Sequence, residues 1–446
     1  MKVREGTEFY RVHTGLLLAC MCLVLMSGAG SGSVKLVSLT ALALCLFLLF
    51  RGEITAGLPA LLGILLFCIC CWVSAYRTFG DISIAYAANF PFYLLFYLLL
   101  SSLGESERSM LRRFCVLWAE IVSAAGIIHY IYRSFTADPV RLGFIPGNPN
   151  MLGIFLVMAL LLLSEFEKEN VRSFITGFKP LLVCALVLTL SMGSFLAFIL
   201  ALIYILAADS RERNFKAAFS DLVKMLAGLL AYAVPGVLMI ISAYSGRPYL
   251  TVLSSALCPV LCYYSKAMGE FFEKGRRALL FIILLGIPAG ILLIYLRPTA
   301  ADTFAERLGM IRNGWRYFTE NPLEGVGMYR WRELNRSDWD MDYKSWHIHN
   351  APVHVAAEMG IFALISLIIW AAGLFSERKN REAAPVFAAY YFHCLMDVSF
   401  FHMGPGCMFM SSVCRGKGKC RIPAAAVRIS ALLLAAFYLH AMIIRT

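Results

Sequence analysis

Long apolar segments constrain the fold of this chain more than any other feature. Between residues 14 and 443, runs of about 17 to 25 mostly apolar residues follow one another, separated by short polar connectors. At 1.5 Å of rise per residue, a helix of that length crosses the roughly 30 Å hydrocarbon core of a bilayer. A membrane β-barrel would instead show alternating segments of about ten residues. The runs therefore predict helices that span a membrane.

Composition supports this class. The chain is 60% hydrophobic and 15% charged, with a mean hydropathy of +0.72. A soluble domain is about one quarter charged and about half apolar, so a soluble helical bundle does not fit. We therefore predict an all-α, polytopic transmembrane helical bundle of about 12 to 14 spans with one large loop at the outer face. The expected location is the inner (cytoplasmic) membrane.

The distribution of Lys and Arg predicts the orientation and the domains. The net charge of +12 sits mainly in short loops, so the positive-inside rule accounts for it and nucleic acid is not an expected partner. Loops such as 265–277 are then cytoplasmic. The "GNPN" at 147–150 is predicted as a turn at the outer side, with Asn150 as the cap of the following helix. The chain divides into N-terminal transmembrane helices (1–296), a large extracytoplasmic loop (297–349) and C-terminal transmembrane helices (350–446).

Cysteine and histidine patterns give no strong metal or disulfide signal. The 14 cysteines lie almost wholly inside apolar spans, where they serve as packing residues, whereas a disulfide framework would occupy exposed loops. His347, His349 and His354 have the spacing HxHxxxxH without Cys or carboxylate support, a poor match to a zinc site. No metal and no cofactor is expected, and zinc bound by these histidines is the alternative. His347 and His354 are interpreted as polar residues at the membrane border.

The large loop and the helix after it contain the polar motifs. The first half of the loop reads as a helix with Arg312 and Arg316 on one face, ended by Pro322. The later "HIHNAPVH" marks a helix start, with Asn350 as the N-terminal cap and His349 held beside it. Glu358 then falls inside an apolar span, where carboxylates are costly and often functional; a hydrogen bond between helices explains it equally well.

These motifs together resemble the O-antigen ligase and O-antigen polymerase family. The resemblance rests on Arg307, "PLEGVG" at 322–327, His349-Asn350, Glu358-Met359-Gly360 and "GNPNMLG" at 147–153. One departure concerns a turn where the family often has Ser-Arg-Gly and this chain has Ser191-Met192-Gly193. The missing arginine is thought to help hold a phosphate. Arg141, Arg133 and Arg247, all predicted at the outer side, are candidates to replace it.

The resemblance implies a membrane glycosyltransferase that moves a glycan from undecaprenyl diphosphate to an acceptor hydroxyl, without a metal. The acceptor is a glycan or a lipid. His349 is expected to activate the hydroxyl, and Arg307 to stabilise the pyrophosphate, because its planar fork matches phosphate oxygens. The residues expected to bind substrate are Arg312, Arg316, Asn350, Glu358 and Arg141.

Alternatives stay open at this point. A repeat-unit polymerase shares the motifs, and a polysaccharide transporter or flippase shares the hydropathy. A transporter would show repeats and a charged site at the bilayer midplane, whereas the polar residues here concentrate in one loop. Arg312 and Arg316 equally suit lipid headgroup contacts. His393 and Asp397, four residues apart in a late span, form a buried polar pair or line a cavity.

The topology can be tested by thiol labelling. In a cysteine-free background, a single cysteine at Asp340 should react with an impermeant reagent from outside, because the charge bias puts the large loop there. A cysteine at Lys266 should react only after the membrane is opened. Labelling of position 340 solely from the cytoplasmic side would contradict the predicted orientation.

Overall fold

The structure confirms the predicted all-α class. The computed structural model describes residues 2–25, 31–83, 85–136, 141–145, 147–168, 177–273, 275–295, 300–337, 345–416 and 418–444. Over these ranges the chain is almost entirely helical, with one small antiparallel sheet. Position 340, within the predicted outer loop, lies outside the described residues.

Twenty α-helices and two short strands are assigned over the described ranges. In chain order they are α1 (Lys2–Leu25), α2 (Ser31–Leu49), β1 (Ile54–Ala56), α3 (Leu58–Phe79), α4 (Phe90–Ser102), α5 (Glu105–Thr136), α6 (Pro149–Lys168), α7 (Lys179–Thr189), α8 (Met192–Glu212), α9 (Phe215–Tyr244), α10 (Pro248–Ser255), α11 (Leu257–Tyr263), α12 (Ser265–Phe272), α13 (Gly275–Phe281), α14 (Ile287–Tyr295), α15 (Ala300–Glu320), α16 (Arg330–Ser337), α17 (Ala351–Ser376), α18 (Ala384–Met396), α19 (Met403–Val413), β2 (Cys420–Ile422) and α20 (Ala424–Ile444). Short 3-10 turns lie at Ala85–Ala88, Arg378–Ala383 and Ser399–Phe401, and a π-helical segment at Ile282–Gly286.

The helices are those of a multi-pass membrane protein. Seven of the described helices are long and apolar enough to cross a membrane, namely α3, α5, α6, α8, α9, α17 and α20. Six shorter apolar segments accompany them, including parts of α1 and α2 and the whole of α4 and α7. Many of their side chains face outward and are apolar, such as Leu46 and Ile128. Exposed apolar side chains on long helices are expected where lipid replaces water.

Packing divides the chain into two units. Unit 1 consists of Met1–Arg112, Phe304–Ala384 and Cys394–Thr446. Unit 2 consists of Arg113–Thr303 and Pro385–His393. Each unit therefore combines segments that are distant in sequence, whereas the division at 296 and 349 predicted above separates the chain by hydropathy alone.

In unit 1, α3 and α17 pack backbone against backbone. A Cβ atom added at Gly63 of α3 would lie 2.3 Å from the Trp370 nitrogen, and one at Gly373 of α17 would lie 2.3 Å from the Ala60 nitrogen. Small residues permit such close approach between membrane helices, where dispersion contacts take the place of the hydrophobic effect. In the same unit, β1 pairs antiparallel with β2, with Thr55 opposite Arg421.

A break at Gly360 lets the turn at 322–327 dock on α17. Gly360 has φ 78° and ψ −172°, which interrupts the helical hydrogen bonds. The turn 322–327 satisfies the freed groups: the Val326 amide donates to Ala357 O (2.8 Å), the Gly327 amide to Glu358 O (3.1 Å), and the Ile361 amide to Pro322 O (2.8 Å). The two motifs "PLEGVG" and Glu358-Met359-Gly360 are therefore two sides of one backbone contact.

Unit 2 is organised around α9. This 30-residue helix contacts α7, α8, α10 and α13. A Cβ atom at Gly236 would lie 3.0 Å from the Cys184 carbonyl oxygen, so the glycine sets the distance between α9 and α7. The predicted turn in "TLSMGS" is present, because α7 ends at Thr189, Leu190 has φ 47°, and Ser191 caps α8.

The break at Gly360 gives a stability prediction. Gly360→Ala should lower the thermal unfolding temperature of the purified protein clearly, since a left-handed non-glycine residue costs about 1–3 kcal/mol and the new Cβ would overlap the Leu323 carbonyl. Gly15→Ala is the matched control, because nothing lies within 4 Å of its Cβ position in α1. Equal melting temperatures for the two variants would show that the break is not required for stability.

Candidate active site

A buried carboxylate, Asp397, lies at the centre of the polar cluster in unit 1. It follows α18 in extended conformation, with φ −160° and ψ −177°, and is 1% exposed. Its Oδ2 accepts a hydrogen bond from Arg307 Nη2 (2.8 Å). Its Oδ1 lies 3.0 Å from His349 Nδ1 and accepts from the Val398 amide at 2.8 Å. Asp397 thus contacts both residues predicted as catalytic.

Arg307 reaches Asp397 from α15. Its Nη1 also donates to the Met396 carbonyl at 2.7 Å, so two nitrogens of the guanidinium bind consecutive residues at the end of α18. Its Nε is buried and has no hydrogen-bond partner among the described residues. The side chain is 15% exposed. A buried charged pair of this kind is held by its hydrogen bonds, and removal of either member leaves the other charge uncompensated.

His349 and Asn350 lie where α17 begins. Asn350 Oδ1 accepts from the Val353 amide at 3.0 Å, which confirms the predicted N-terminal cap, and Pro352 occupies the first turn. The Asn350 Nδ2 donates to the Leu395 carbonyl at 3.0 Å. The cap therefore ties the start of α17 to the same segment that Arg307 holds. His349 is fixed between its backbone position at the cap and the Asp397 carboxylate.

The Asp397 contact determines which nitrogen of His349 can act as a base. A carboxylate can only accept hydrogen bonds, so the shared proton belongs to Nδ1. The lone pair of the neutral ring is then on Nε2, and no described residue forms a hydrogen bond with that atom. The His349 side chain is 22% exposed, so the ring is partly open to solvent. This is the arrangement of a carboxylate-oriented histidine base.

His354 and Glu358 form a second, fully buried polar group in unit 1. Glu358 Oε1 accepts from the Trp331 amide (3.3 Å), and its Oε2 lies 3.4 Å from His354 Nε2. His354 Nδ1 accepts from the Ile348 amide at 3.3 Å. Glu358 is predicted from the sequence to bind substrate. In the structure its carboxylate accepts from the backbone at the start of α16 and so connects α16 to α17. His354, interpreted as a residue of the membrane border, lies in the core.

His347 contacts this buried group through His354. Its Nδ1 lies 3.3 Å from His354 Nε2, and its ring stacks on Phe401 with centroids 4.8 Å apart. Burial, followed by the neighbouring His354, lowers the pKa of His347 well below its ordinary value. His347 is thus a neutral packing residue at pH 7. Of the three histidines, His349 contacts Asp397 and His354 contacts Glu358.

The two other predicted substrate-binding arginines of the loop are exposed on α15. Arg312 makes no hydrogen bond to a described residue, so its cation faces outward. Arg316 lies 5.0 Å above the Tyr317 ring and 4.0 Å from Glu320. α15 does end at Glu320, just before Pro322, as predicted. The helix thus combines one buried arginine, Arg307, with two accessible ones.

Arg141 lies in unit 2, in a separate polar cluster. Its Nε donates to the Thr189 carbonyl at 2.9 Å and its Nη2 to the Asn150 side-chain oxygen. Arg141 therefore joins the "GNPN" turn to the turn that has Met192 in place of the family's arginine. Arg133 and Arg247 are exposed. Of the three arginines proposed as replacements, Arg141 is the one in contact with Thr189.

The same cluster corrects one local prediction and extends into α18. Asn148, not Asn150, caps α6, because its Oδ1 accepts from the Asn150 amide (2.8 Å). The Ser194 hydroxyl lies 3.3 Å from the Asn150 carbonyl oxygen and 3.2 Å from His393 Nε2. His393 belongs to unit 2 and Asp397 to unit 1. His393 has its partner Ser194 in unit 2, and Asp397 has its partners Arg307 and His349 in unit 1.

Asp397 is a candidate functional residue that the motif analysis did not assign. A sequence signal exists: Asp397 is the only Asp, Glu, Lys or Arg between Glu382 and Arg415. An isolated carboxylate in an apolar segment is costly and therefore a candidate for function. Within the described ranges, no group of three or more His, Cys, Asp or Glu side chains is arranged to hold a metal ion.

Comparison with known proteins supports the resemblance found from the motifs. Residues 180–368 match the family model described as O-Antigen ligase. This segment includes Arg307, the 322–327 turn and His349, and the resemblance is confirmed over it. The match supports a membrane protein of the glycosyltransferase-like ligase and polymerase type. No curated protein sequence matches the chain.

A double-mutant cycle can measure the coupling between Arg307 and Asp397. Arg307→Met and Asp397→Leu should each destabilise the protein by about 3 kcal/mol, because each leaves a buried charge without its partner. The double variant should be more stable than the sum of the two effects predicts, with a coupling of about 2 kcal/mol. Thermal or denaturant unfolding in detergent provides the measurement.

The cycle on Arg316 and Glu320 is the matched control. This pair lies on the same helix, but both side chains are exposed and the charges are 4.0 Å apart. Exposed pairs of this geometry give little or no coupling. If the Arg307 and Asp397 cycle showed as little coupling as the control, the buried pair would not organise the site.

Proposed function

We propose that this chain is an inverting glycosyltransferase that moves a glycan from undecaprenyl diphosphate to an acceptor hydroxyl at the outer face of the cytoplasmic membrane. The observation that supports the proposal most directly is the carboxylate of Asp397, which contacts both His349 and Arg307. The match to the O-antigen ligase family supports the reaction class. No metal ion is required in the proposed mechanism.

His349 is proposed as the general base. The acceptor hydroxyl donates its hydrogen bond to Nε2, and its proton moves there as the acceptor oxygen forms the new bond to the anomeric carbon. The resulting imidazolium is stabilised by Asp397, which already accepts the hydrogen bond from Nδ1. Asp397 itself keeps its charge throughout, as an orienting carboxylate does in other histidine-based sites. Such a base contributes about 10²–10⁴-fold to the rate.

Arg307 is proposed to stabilise the leaving group. As the bond between the anomeric carbon and the phosphate oxygen breaks, negative charge grows on undecaprenyl diphosphate. Nη1 and Nη2 each use one hydrogen on the protein, and each has a second hydrogen for a phosphate oxygen. A donor fixed in advance is most effective where charge develops, because no reorganisation is needed during the reaction.

The remaining predicted substrate-binding residues fall into two groups. The exposed Arg312 and Arg316 are proposed to attract the donor pyrophosphate, a role suited to accessible cations. Asn350 and Glu358 are proposed to hold the backbone of the site in place. Their side chains bind backbone groups at Leu395 and Trp331, respectively. Arg141 is proposed as the replacement for the family's arginine at the 191–193 turn.

Substitution of His349 tests the base. His349→Gln should lower glycan transfer about 10²–10⁴-fold, because Gln cannot take the proton of the acceptor. Asp397→Asn should also lower transfer strongly, since the amide no longer fixes the Nδ1 proton. Transfer is measured with purified protein and a labelled undecaprenyl-diphosphate glycan, with and without a chelator.

His347→Gln is the matched control, because it removes a neighbouring imidazole that lies 3.3 Å from His354 and stacks on Phe401. Its transfer should stay close to that of the unaltered protein, and chelator should change none of the rates. Near-normal transfer by His349→Gln would remove His349 as the base. Equal loss in both histidine variants, together with sensitivity to chelator, would instead favour a metal site.

The reaction products distinguish the remaining functions. With donor alone, a ladder of longer lipid-linked glycans would identify a polymerase, whose acceptor is a second lipid-linked repeat. Transfer only after addition of a separate lipid or glycan acceptor would identify a ligase, the function proposed here. Movement of donor across a vesicle membrane without any new glycosidic bond would identify a transporter or flippase and would contradict the proposal.

A further inference from the structure

A cavity in unit 2 combines a charged rim with an apolar floor. Its volume is about 380 Å³. Three lysines line it, Lys179, Lys224 and Lys266, together with two carboxylates, Glu167 and Glu273. The side chains of the rim therefore carry a net charge of +1. None of them belongs to the residues proposed for glycan transfer.

The floor of the cavity is formed by membrane-helix residues. Leu229 and Tyr232 come from α9, and Phe272 comes from the end of α12. Leu229, Tyr232 and Phe272 are buried, as expected for side chains that close the bottom of a cavity between helices. A ligand that fills this space would thus meet charge at one end and hydrocarbon at the other.

The rim lies on the side of the helices predicted to be cytoplasmic. Glu167 is near the end of α6, Lys179 begins α7, and Lys266 lies in the segment 265–277 that the positive-inside rule assigns to the cytoplasm. The cavity therefore faces the inner leaflet in the predicted topology. Anionic phospholipids of that leaflet are the abundant molecules with a charged phosphate and an apolar body, and basic pockets between membrane helices bind their headgroups.

The lysines have partners that a phosphate can replace. Lys179 lies 2.8 Å from Glu167, Lys224 lies 3.2 Å from Glu273 and 3.6 Å from Asp221, and Lys266 lies 3.9 Å from Glu270. The Glu273 and Lys266 side chains are largely exposed. Exposed ion pairs contribute little to stability, so a phosphate can readily take the place of Glu270 at Lys266 and of Glu273 at Lys224. Lys179 is only 14% exposed and keeps Glu167 as its partner beside the phosphate.

We propose that this cavity binds the headgroup of an anionic glycerophospholipid from the cytoplasmic leaflet. The phosphodiester lies among Lys179, Lys224 and Lys266, and the glycerol and first acyl carbons lie over Tyr232 and Phe272. The proposal is independent of glycan transfer, because it concerns other residues and the opposite predicted side of the membrane.

Lipid titration with the intact protein tests the proposal. Phosphatidylglycerol should bind the purified protein more tightly than phosphatidylcholine, measured by native mass spectrometry as the concentration for half occupancy. Lys224→Gln and Lys266→Gln should each weaken phosphatidylglycerol binding about fivefold, the effect expected for one lysine at an anionic headgroup. Lys216→Gln is the matched control, because it removes the same charge from the exposed start of α9, outside the cavity.

Each other outcome overturns a defined part of the proposal. Equal binding of the two lipids would rule out an anionic headgroup site. Equal weakening by Lys216→Gln would show diffuse surface attraction instead of a cavity. Competition by soluble glycerol phosphate at concentrations similar to the lipid would identify a soluble phosphate ligand. Because each variant is compared between two lipids, a general loss of stability does not imitate the expected result.

Discussion

The Asp397 carboxylate is the interaction on which the candidate active site depends. It is buried, and it receives hydrogen bonds from Arg307 on α15 and from the backbone of Val398, beside the Nδ1 of His349 at the start of α17. A buried charge is stable only when it is paired and hydrogen-bonded. The requirement to satisfy Asp397 therefore holds three distant segments together, and the orientation of the histidine follows from it.

A second constraint positions the turn at 322–327. The freed backbone groups around Gly360 need partners, because an unpaired amide or carbonyl in a membrane protein is costly. The turn at 322–327 provides those partners, and Gly325 allows the approach, since a Cβ there would lie 2.4 Å from the Glu358 carbonyl carbon. The family motif glycines are thus explained by backbone contact. In the proposed mechanism, the chemistry depends on the side chains of Arg307, His349 and Asp397.

Some parts of the site were predictable because they depend on neighbouring residues. The cap at Asn350 and the end of α15 before Pro322 follow from local hydrogen bonding and from the ring of proline. The "GNPN" turn shows the limit of this reasoning. The sequence indicates Asn150 as the cap, whereas in the structure Asn148 caps α6 and the Asn150 side-chain oxygen accepts a hydrogen bond from Arg141. Arg141 precedes that turn in sequence, but its second partner, Thr189, lies 48 residues away.

By itself, the sequence determined the membrane class, the helical nature of the spans and the residues that resemble the O-antigen ligase family. These depend on the hydropathy of continuous segments and on short motifs, which are local properties. Only the tertiary structure decided that Arg307 and His349 share one carboxylate, that Glu358 supports a loop backbone, and that Arg141 joins the 189–191 turn. The partners of Arg307 and His349 lie 90 and 48 residues away along the chain. No spacing rule specifies such contacts, because they arise only when helices pack and buried polar groups must find partners.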